Sequence, residues 1–245
     1  MSTPERVIVL DIEGTTTSIS FVYDAMFPFV RRELDRYLDA HEGEPPMTAD
    51  VALLRAQAEE DVAAGLEGAV PIPEDGAEGL MEAVRASVLW QMDNDRKTTG
   101  LKSLQGKIWK AGFESGELKG HVFEDVPGRL EAWAGAGVPV YIYSSGSVSA
   151  QKLLFGYSEA GDLTRYLDGY FDTRIGSKKE ADSYRAIADE IGVAPETITF
   201  VTDNLAEAVA AREAGVEAIL SLRPGNPALP QDHGFPTVTS LTEVP

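Results

Sequence analysis

Val7-Ile8-Val9-Leu10-Asp11-Ile12-Glu13-Gly14-Thr15-Thr16-Thr17 is the stretch whose reading decides the fold. Four consecutive apolar residues, mostly β-branched, predict a short strand buried on both faces, which is the signature of a parallel sheet covered by helices. Two carboxylates one residue apart follow, then a glycine and three threonines. In open α/β sheets ligands bind at the carboxyl ends of the strands. A buried strand that delivers acids to that edge must offset their desolvation, and a divalent cation is the usual means. Carboxylates two apart on extended chain point to opposite sides, so Asp11 and Glu13 share a site only if the chain turns. Gly14 permits the turn.

The composition sets bounds. A chain of 245 residues suits one domain with a large insert, or two modest domains. A hydrophobic fraction of 43% and a charged fraction of 25% are those of a globular protein, and no apolar run is long enough to span a bilayer. Met1 leads almost directly into the first strand, so no signal peptide is expected. With no cysteine there is neither disulfide nor thiolate metal site, and the expected location is cytoplasmic. A net charge of −19 argues against nucleic acid and anionic membrane as partners. That charge is uneven: residues 41–82 hold 11 acids and one base, whereas residues 96–119 hold six bases and two acids. The basic segment is expected to be a solvated face or, through Lys102 and Lys107, an attractor of a small anion.

Between about residue 20 and residue 120 the apolar spacing is helical throughout. Helices are predicted over Phe21–Tyr37, with a break and fresh start at Phe27-Pro28, and over Ala49–Ala64, Leu80–Asp95 and Leu101–Ser115. His41–Met47 and Gly65–Gly79, rich in Gly and Pro, read as loops. From Val126 onward helices alternate with strands: Val138–Tyr143, Gly169–Asp172, Ile198–Thr202, Ala218–Leu222 and an edge strand near Val238. This alternation predicts an α/β, doubly wound parallel sheet. Its core is discontinuous, residues 1–17 and 126–245, with residues 18–125 as an inserted helical cap.

Three of the buried strands end in polar residues: Asp11 and Glu13, then Ser144 and Ser145, then Asp203. Lys178 joins them from the loop Gly176-Ser177-Lys178-Lys179-Glu180 before a helix. Three acids with no histidine suggest a hard oxygen-ligand site for Mg²⁺, and hydroxyls with a lysine suit a phosphate dianion. Taken singly, each has a plainer reading. Asp203-Asn204 could cap the following helix, Ser144 and Ser145 the next one, and Lys179 could replace Lys178. They would all have to be coincidental in one chain order.

That order resembles the haloacid dehalogenase superfamily: Asp11-Ile12-Glu13-Gly14-Thr15, Ser144 ending the next core strand, Lys178 before a helix, and the acidic strand end Asp203. Glu13, where most phosphatases of that superfamily have Asp, narrows the resemblance. So do Leu104-Gln105-Gly106-Lys107-Ile108-Trp109, Gly116-Glu117-Leu118-Lys119-Gly120-His121-Val122, Tyr141-Ile142-Tyr143-Ser144-Ser145-Gly146-Ser147 and Phe171-Asp172-Thr173-Arg174-Ile175-Gly176. Together they are similar to the enolase-phosphatases of methionine salvage, the acireductone synthases. The resemblance implies a monomeric, Mg²⁺-dependent enzyme acting on a small phosphate ester, 2,3-diketo-5-methylthiopentyl-1-phosphate, by enolisation and then phosphate loss. It implies Asp11 as nucleophile, Glu13 as acid/base or metal ligand, and Asp11, Glu13 and Asp203 around the metal. Lys178, Ser144 and Ser145 would meet the phosphate. A sugar-phosphate phosphatase of the same superfamily is the alternative, since it would share the four core motifs. His121 is expected to anchor the return from the insert, Glu207 to support the loop, and Trp90, Trp109 and Trp133 to pack.

Overall fold

The computed structural model describes residues 4–245, so the first three residues of the expected core segment 1–17 lie outside it. Six parallel strands form one sheet: β1 Val7–Leu10, β2 Val140–Tyr143, β3 Gly169–Phe171, β4 Ile198–Thr202, β5 Glu217–Ser221 and β6 Thr237–Val238. They lie in the order β3-β2-β1-β4-β5-β6. β1 is thus central, with Leu10 opposite Ile142 on one side and Val201 on the other. The strand order reverses at β1, and such a switch point is where parallel sheets open a crevice for ligands. Alternation along β1 covers both sheet faces. Val7 and Val9 join a buried cluster with Tyr184, Ile187, Ala208 and Ala211, from helices α7 (Ala181–Ile191) and α8 (Leu205–Glu213). Ile8 and Leu10 are fully buried on the other face.

The chain divides into two compact units. One comprises residues 4–25 and 119–245, and the other is Met26–Leu118, narrower at both ends than the expected insert 18–125. The sheet unit also holds α5 (Asp125–Gly135) and α6 (Val148–Gly156). The helical unit consists of α1 Phe27–His41, α2 Pro45–Ala63, α3 Leu80–Asp93 and α4 Thr99–Ser115. Phe21–Met26 is π-helical and changes to α-helix at Phe27, one residue before Pro28, whose missing N–H forbids an uninterrupted ladder. α2 begins at Pro45, inside the segment expected to be a loop. Pro45 and Pro46 fall in its first turn, where backbone N–H groups have no intrahelical partner and proline costs nothing. In α4, Gly100 and Gly112 let the helix approach α2 and α1: a Cβ at Gly112 would collide with the Phe29 ring. Trp109 donates to Met26 O at 2.8 Å and Trp90 to Glu67 O at 3.1 Å, so both indoles are packing residues with satisfied N–H groups.

The opposite charges of the two segments meet inside this unit. Lys107 Nζ lies 2.6 Å from Asp50 Oδ2 and 2.8 Å from Pro46 O, and Arg96 binds Asp61 at 2.7 Å. Lys107 is therefore paired with Asp50 of α2 rather than left as a free surface charge. No helix among the described residues is long and apolar enough to cross a membrane.

Candidate functional site

Asp11 begins where β1 ends. Its backbone N–H still donates to Val201 O at 2.9 Å, and its side chain, 3% exposed, stays at the sheet edge. Gly14 then turns the chain with φ +69, and Gly14 N donates to Thr17 O at 2.8 Å to close the loop. A residue with a Cβ fails at Gly14 twice over: the backbone is left-handed, and the Cβ would sit 2.5 Å from Asp203 Oδ2.

Lys178 reaches Asp11 from the loop before α7. Its Nζ lies 2.6 Å from Asp11 Oδ1 and 2.7 Å from Glu207 Oε2. Two tyrosines hold that loop: Tyr184 donates to Lys178 O at 2.6 Å and Tyr143 to Gly176 O at 3.0 Å. Burial alone would lower the Lys178 pKa, but Asp11 and Glu207 raise it above its usual value, so the lysine stays protonated. Lys179 is exposed, whereas Lys178 is the lysine of this loop that reaches Asp11 and Glu207. Ile12 N adds 2.7 Å to Asp11 Oδ1, and Thr202 Oγ1 lies 3.0 Å from Asp11 Oδ2 and 2.8 Å from Glu207 Oε2. A hydroxyl has one hydrogen, so Thr202 serves one carboxylate at a time.

Glu13 goes the other way. Ser144 Oγ donates to Glu13 Oε2 at 3.4 Å and accepts from Gly146 N at 3.1 Å. Neither Ser144 nor Ser145 caps α6. That role belongs to Ser147, which accepts from Ala150 N at 3.3 Å. Ser145 is half-buried on the same turn. Asp172 braces this turn from the end of β3, accepting from Val148 N at 3.2 Å, while Gln151 Nε2 donates to Gly146 O at 2.8 Å and Phe171 O at 2.9 Å. Asn204, not Asp203, caps α8, accepting from Ala206 N at 3.0 Å, which leaves the Asp203 carboxylate for the site. His121 Nδ1 accepts from Ser18 N at 3.3 Å and lies 2.9 Å from Thr17 Oγ1. His121 thereby anchors the end of the loop.

Asp11, Glu13 and Asp203 do not form the expected three-carboxylate cage. No cluster of three or more histidine, cysteine, aspartate or glutamate side chains among the described residues is arranged to hold a metal ion. The reason is local: Asp11 turns toward Thr202 and Lys178, while Glu13 turns toward Ser144. Asp11 and Asp203 remain as hard oxygen donors beside a surplus of negative charge. Burial and the charge of Asp11, with Lys178 opposing and Glu13 adding, push Asp203 up to about 7. Burial and Asp11 also raise Glu207. Acids that cannot all ionise comfortably around one lysine suit a hard divalent cation such as Mg²⁺.

Two residues that strand-end reasoning did not reach grip the loop from beyond β5. Arg223 Nε donates to Thr15 O at 3.1 Å, while its two terminal nitrogens hold Asp125 at 2.9 and 2.8 Å. Asn226 Nδ2 donates to Gly14 O at 2.9 Å. The Arg223-Pro224-Gly225-Asn226-Pro227 turn was visible in the sequence, but the loop carbonyls it grips, Thr15 O and Gly14 O, lie 208 and 212 positions away in the chain.

A family model described as haloacid dehalogenase-like hydrolase matches residues 5–215. A probable bifunctional methylthioribulose-1-phosphate dehydratase/enolase-phosphatase E1 of Arabidopsis thaliana is 53% identical over 98% of this chain and 48% of its own length. The corresponding protein of Vitis vinifera is 52% identical over 98% of this chain and 47% of its own. The chain thus spans about half the length of the curated relatives it matches. The solved structure of the UTR4 protein of Saccharomyces cerevisiae is 32% identical, with a TM-score of 0.77 over 96% of this chain and 97% of that one. With a buried Asp-Lys pair at the edge of a parallel sheet and a family match over most of its length, the chain belongs to the haloacid dehalogenase-like hydrolases.

Proposed function

We propose that this chain is a Mg²⁺-dependent enolase-phosphatase of methionine salvage that acts on 2,3-diketo-5-methylthiopentyl-1-phosphate. The names of the relatives join two activities, and the half matched here carries a hydrolase family model, which corresponds to the phosphatase half. The observation that carries the reading is the engagement of Asp11 by Lys178 at 2.6 Å, next to a turn that pairs Ser144 with Glu13.

In the phosphatase step the Asp11 carboxylate attacks phosphorus. An aspartyl-phosphate bond forms as the ester P–O bond breaks, and Glu13 gives the leaving oxygen a proton. Glu13 then takes a proton from water as that water attacks phosphorus, releasing phosphate and restoring Asp11. Lys178 uses two of its three hydrogens on Asp11 and Glu207 and keeps the third for a phosphoryl oxygen. Ser144 and Ser145 add hydroxyls for the other oxygens. Asp11 and Asp203, with the backbone carbonyl of Glu13, would hold Mg²⁺, and the ion would supply the positive charge that lets a carboxylate approach a phosphate dianion.

In the enolisation step, which comes first, Glu13 is the base that removes the proton from the phosphate-bearing carbon and keeps it for the leaving oxygen of the phosphatase step, while Lys178 polarises the neighbouring ketone oxygen, which takes its proton from solvent. His121 is assigned no part in this step, because its Nδ1 is engaged by Ser18 N. The unit Met26–Leu118 takes the part of the cap, and the same reading makes the enzyme a cytoplasmic monomer.

Incubation of the diketo-phosphate with the protein and Mg²⁺ tests this, followed by phosphate release and by the absorbance of the enol product. Both signals are expected. Asp11→Asn lowers turnover at least about a thousandfold. Phosphate release without enol absorbance would leave a plain sugar-phosphate phosphatase, and enol formation in Glu13→Gln would remove Glu13 as base.

A further inference from the structure

Asn226 plays no part in the chemistry above, yet its amide orientation is dictated. Nδ2 donates to Gly14 O at 2.9 Å and to Ser221 O at 3.1 Å. Carbonyls only accept, so the NH₂ must face them and Oδ1 must face away. Oδ1 is buried with no hydrogen-bond partner among the described residues. It is also well placed: a Cβ at Gly14 would lie 2.7 Å from Asn226 Oδ1 and 2.5 Å from Asp203 Oδ2. The two oxygens thus flank one glycine, acceptor beside acceptor. Such a pair needs a donor, because a buried acceptor left unpaired costs about 1–3 kcal/mol. Thr15 Oγ1 and Ser221 Oγ, next to the two carbonyls or on the same residue, are likewise buried without a partner.

We propose that Asn226 is a positioning residue for the divalent-cation site. Its NH₂ pins Gly14, which fixes the turn carrying Asp11 and Glu13 against the end of β5. Its Oδ1 accepts a hydrogen bond from the hydration shell of a cation held by Asp11 and Asp203. Mg²⁺ surrenders its water reluctantly and normally keeps several molecules, so a site of few carboxylates requires protein acceptors around it. The inference rests on the reading of the site as Mg²⁺-dependent.

Calorimetric titration of Mg²⁺ into chelator-stripped protein tests it, beside thermal melts in chelator and steady-state kinetics. Asn226→Ala is expected to weaken Mg²⁺ binding about tenfold or more, and to lower kcat with little change in KM for the phosphate ester. Asn226→Asp keeps the size but sets a carboxylate against two carbonyls, and is expected to weaken binding as well; it is the second variant should the first not fold. A purely structural asparagine would lower the melting temperature and leave the Mg²⁺ affinity unchanged, and that result overturns the proposal. If the unsubstituted protein binds no Mg²⁺, the metal reading itself fails, and this inference with it.

Discussion

Asp11 in the sheet unit and Asp50 in the helical unit are almost equally removed from water, at 3% and 2% exposed, and each is bound by a lysine at 2.6 Å. Their surroundings differ in charge balance. Asp50 has one donor for each oxygen, Ser103 at 2.7 Å and Lys107 at 2.6 Å, and among the described residues no second acid pairs with the lysine. Asp11 shares Lys178 with Glu207, and the charges of Asp203 and Glu13 also bear on the site. A balanced buried pair holds helices together, whereas a buried surplus of acid costs stability and persists at sites that work on cations or phosphates.

The largest effects expected follow from exchanging the two carboxylates' fates. Asp50→Ala strands the Lys107 ammonium near α2 and should cost about 3 kcal/mol in thermal or urea unfolding, with turnover unchanged in the folded protein. Asp11→Asn should do the reverse, losing turnover without lowering the melting temperature. If Asp50→Ala abolishes activity at temperatures where the protein is folded, the division between structural and working carboxylates breaks.

Asp203 gives a smaller effect of opposite sign. Its pKa rises from 3.8 to about 7 in the fold, so the native state binds the proton more tightly than the unfolded chain does. The destabilisation it causes grows as pH increases from the lower value to the higher. In chelator at pH 8, Asp203→Asn should therefore raise stability by about 1–2 kcal/mol, and the gain should vanish below pH 4. The same substitution should abolish Mg²⁺ binding, which calorimetry reads directly. A loss of stability at pH 8 would mean the acid surplus is not a strain on the fold.

Asp125 sharpens the contrast from within the sheet unit, with the smallest effect. Burial would raise its pKa, but hydrogen bonds from Arg223, Leu241 N and Ser240 outweigh burial and lower it below 3.8. Its contribution is present above the unfolded value and is lost as pH falls through the folded one. Melting curves between pH 6 and pH 2 should show Asp125→Asn flattening the acid limb. An unaltered slope would mean that the Arg223 clamp is indifferent to the charge.

The fold was legible because periodicity reports burial. Val7–Leu10, Ile198–Thr202 and the helical spacing of α1 and α4 carry their environments in their side chains. α2 was legible only from Ala49, because Pro45 and Pro46 argue for a loop until their first-turn position is known. The site was legible where its residues end strands: Asp11, Ser144 and Asp203. Lys178 was found with Lys179 as a rival, and the two are told apart by burial alone. Arg223 and Asn226 were missed, since an arginine and an asparagine in a Pro/Gly turn suit any solvent-exposed loop.

By itself, the amino-acid sequence determined the parallel α/β sheet, the helical insert and the set of acids, hydroxyls and lysine at the strand ends, because strand burial and chain order are local and periodic. Only tertiary structure decided how the charges are shared. Lys107 and Lys178 look alike in sequence. One is neutralised by a buried aspartate from the neighbouring helix, the other is set between an acid at the end of β1 and an acid in the first turn of α8. Coulomb energy depends on distance in space, and no property of either lysine's own segment encodes which carboxylates the fold will bring to it.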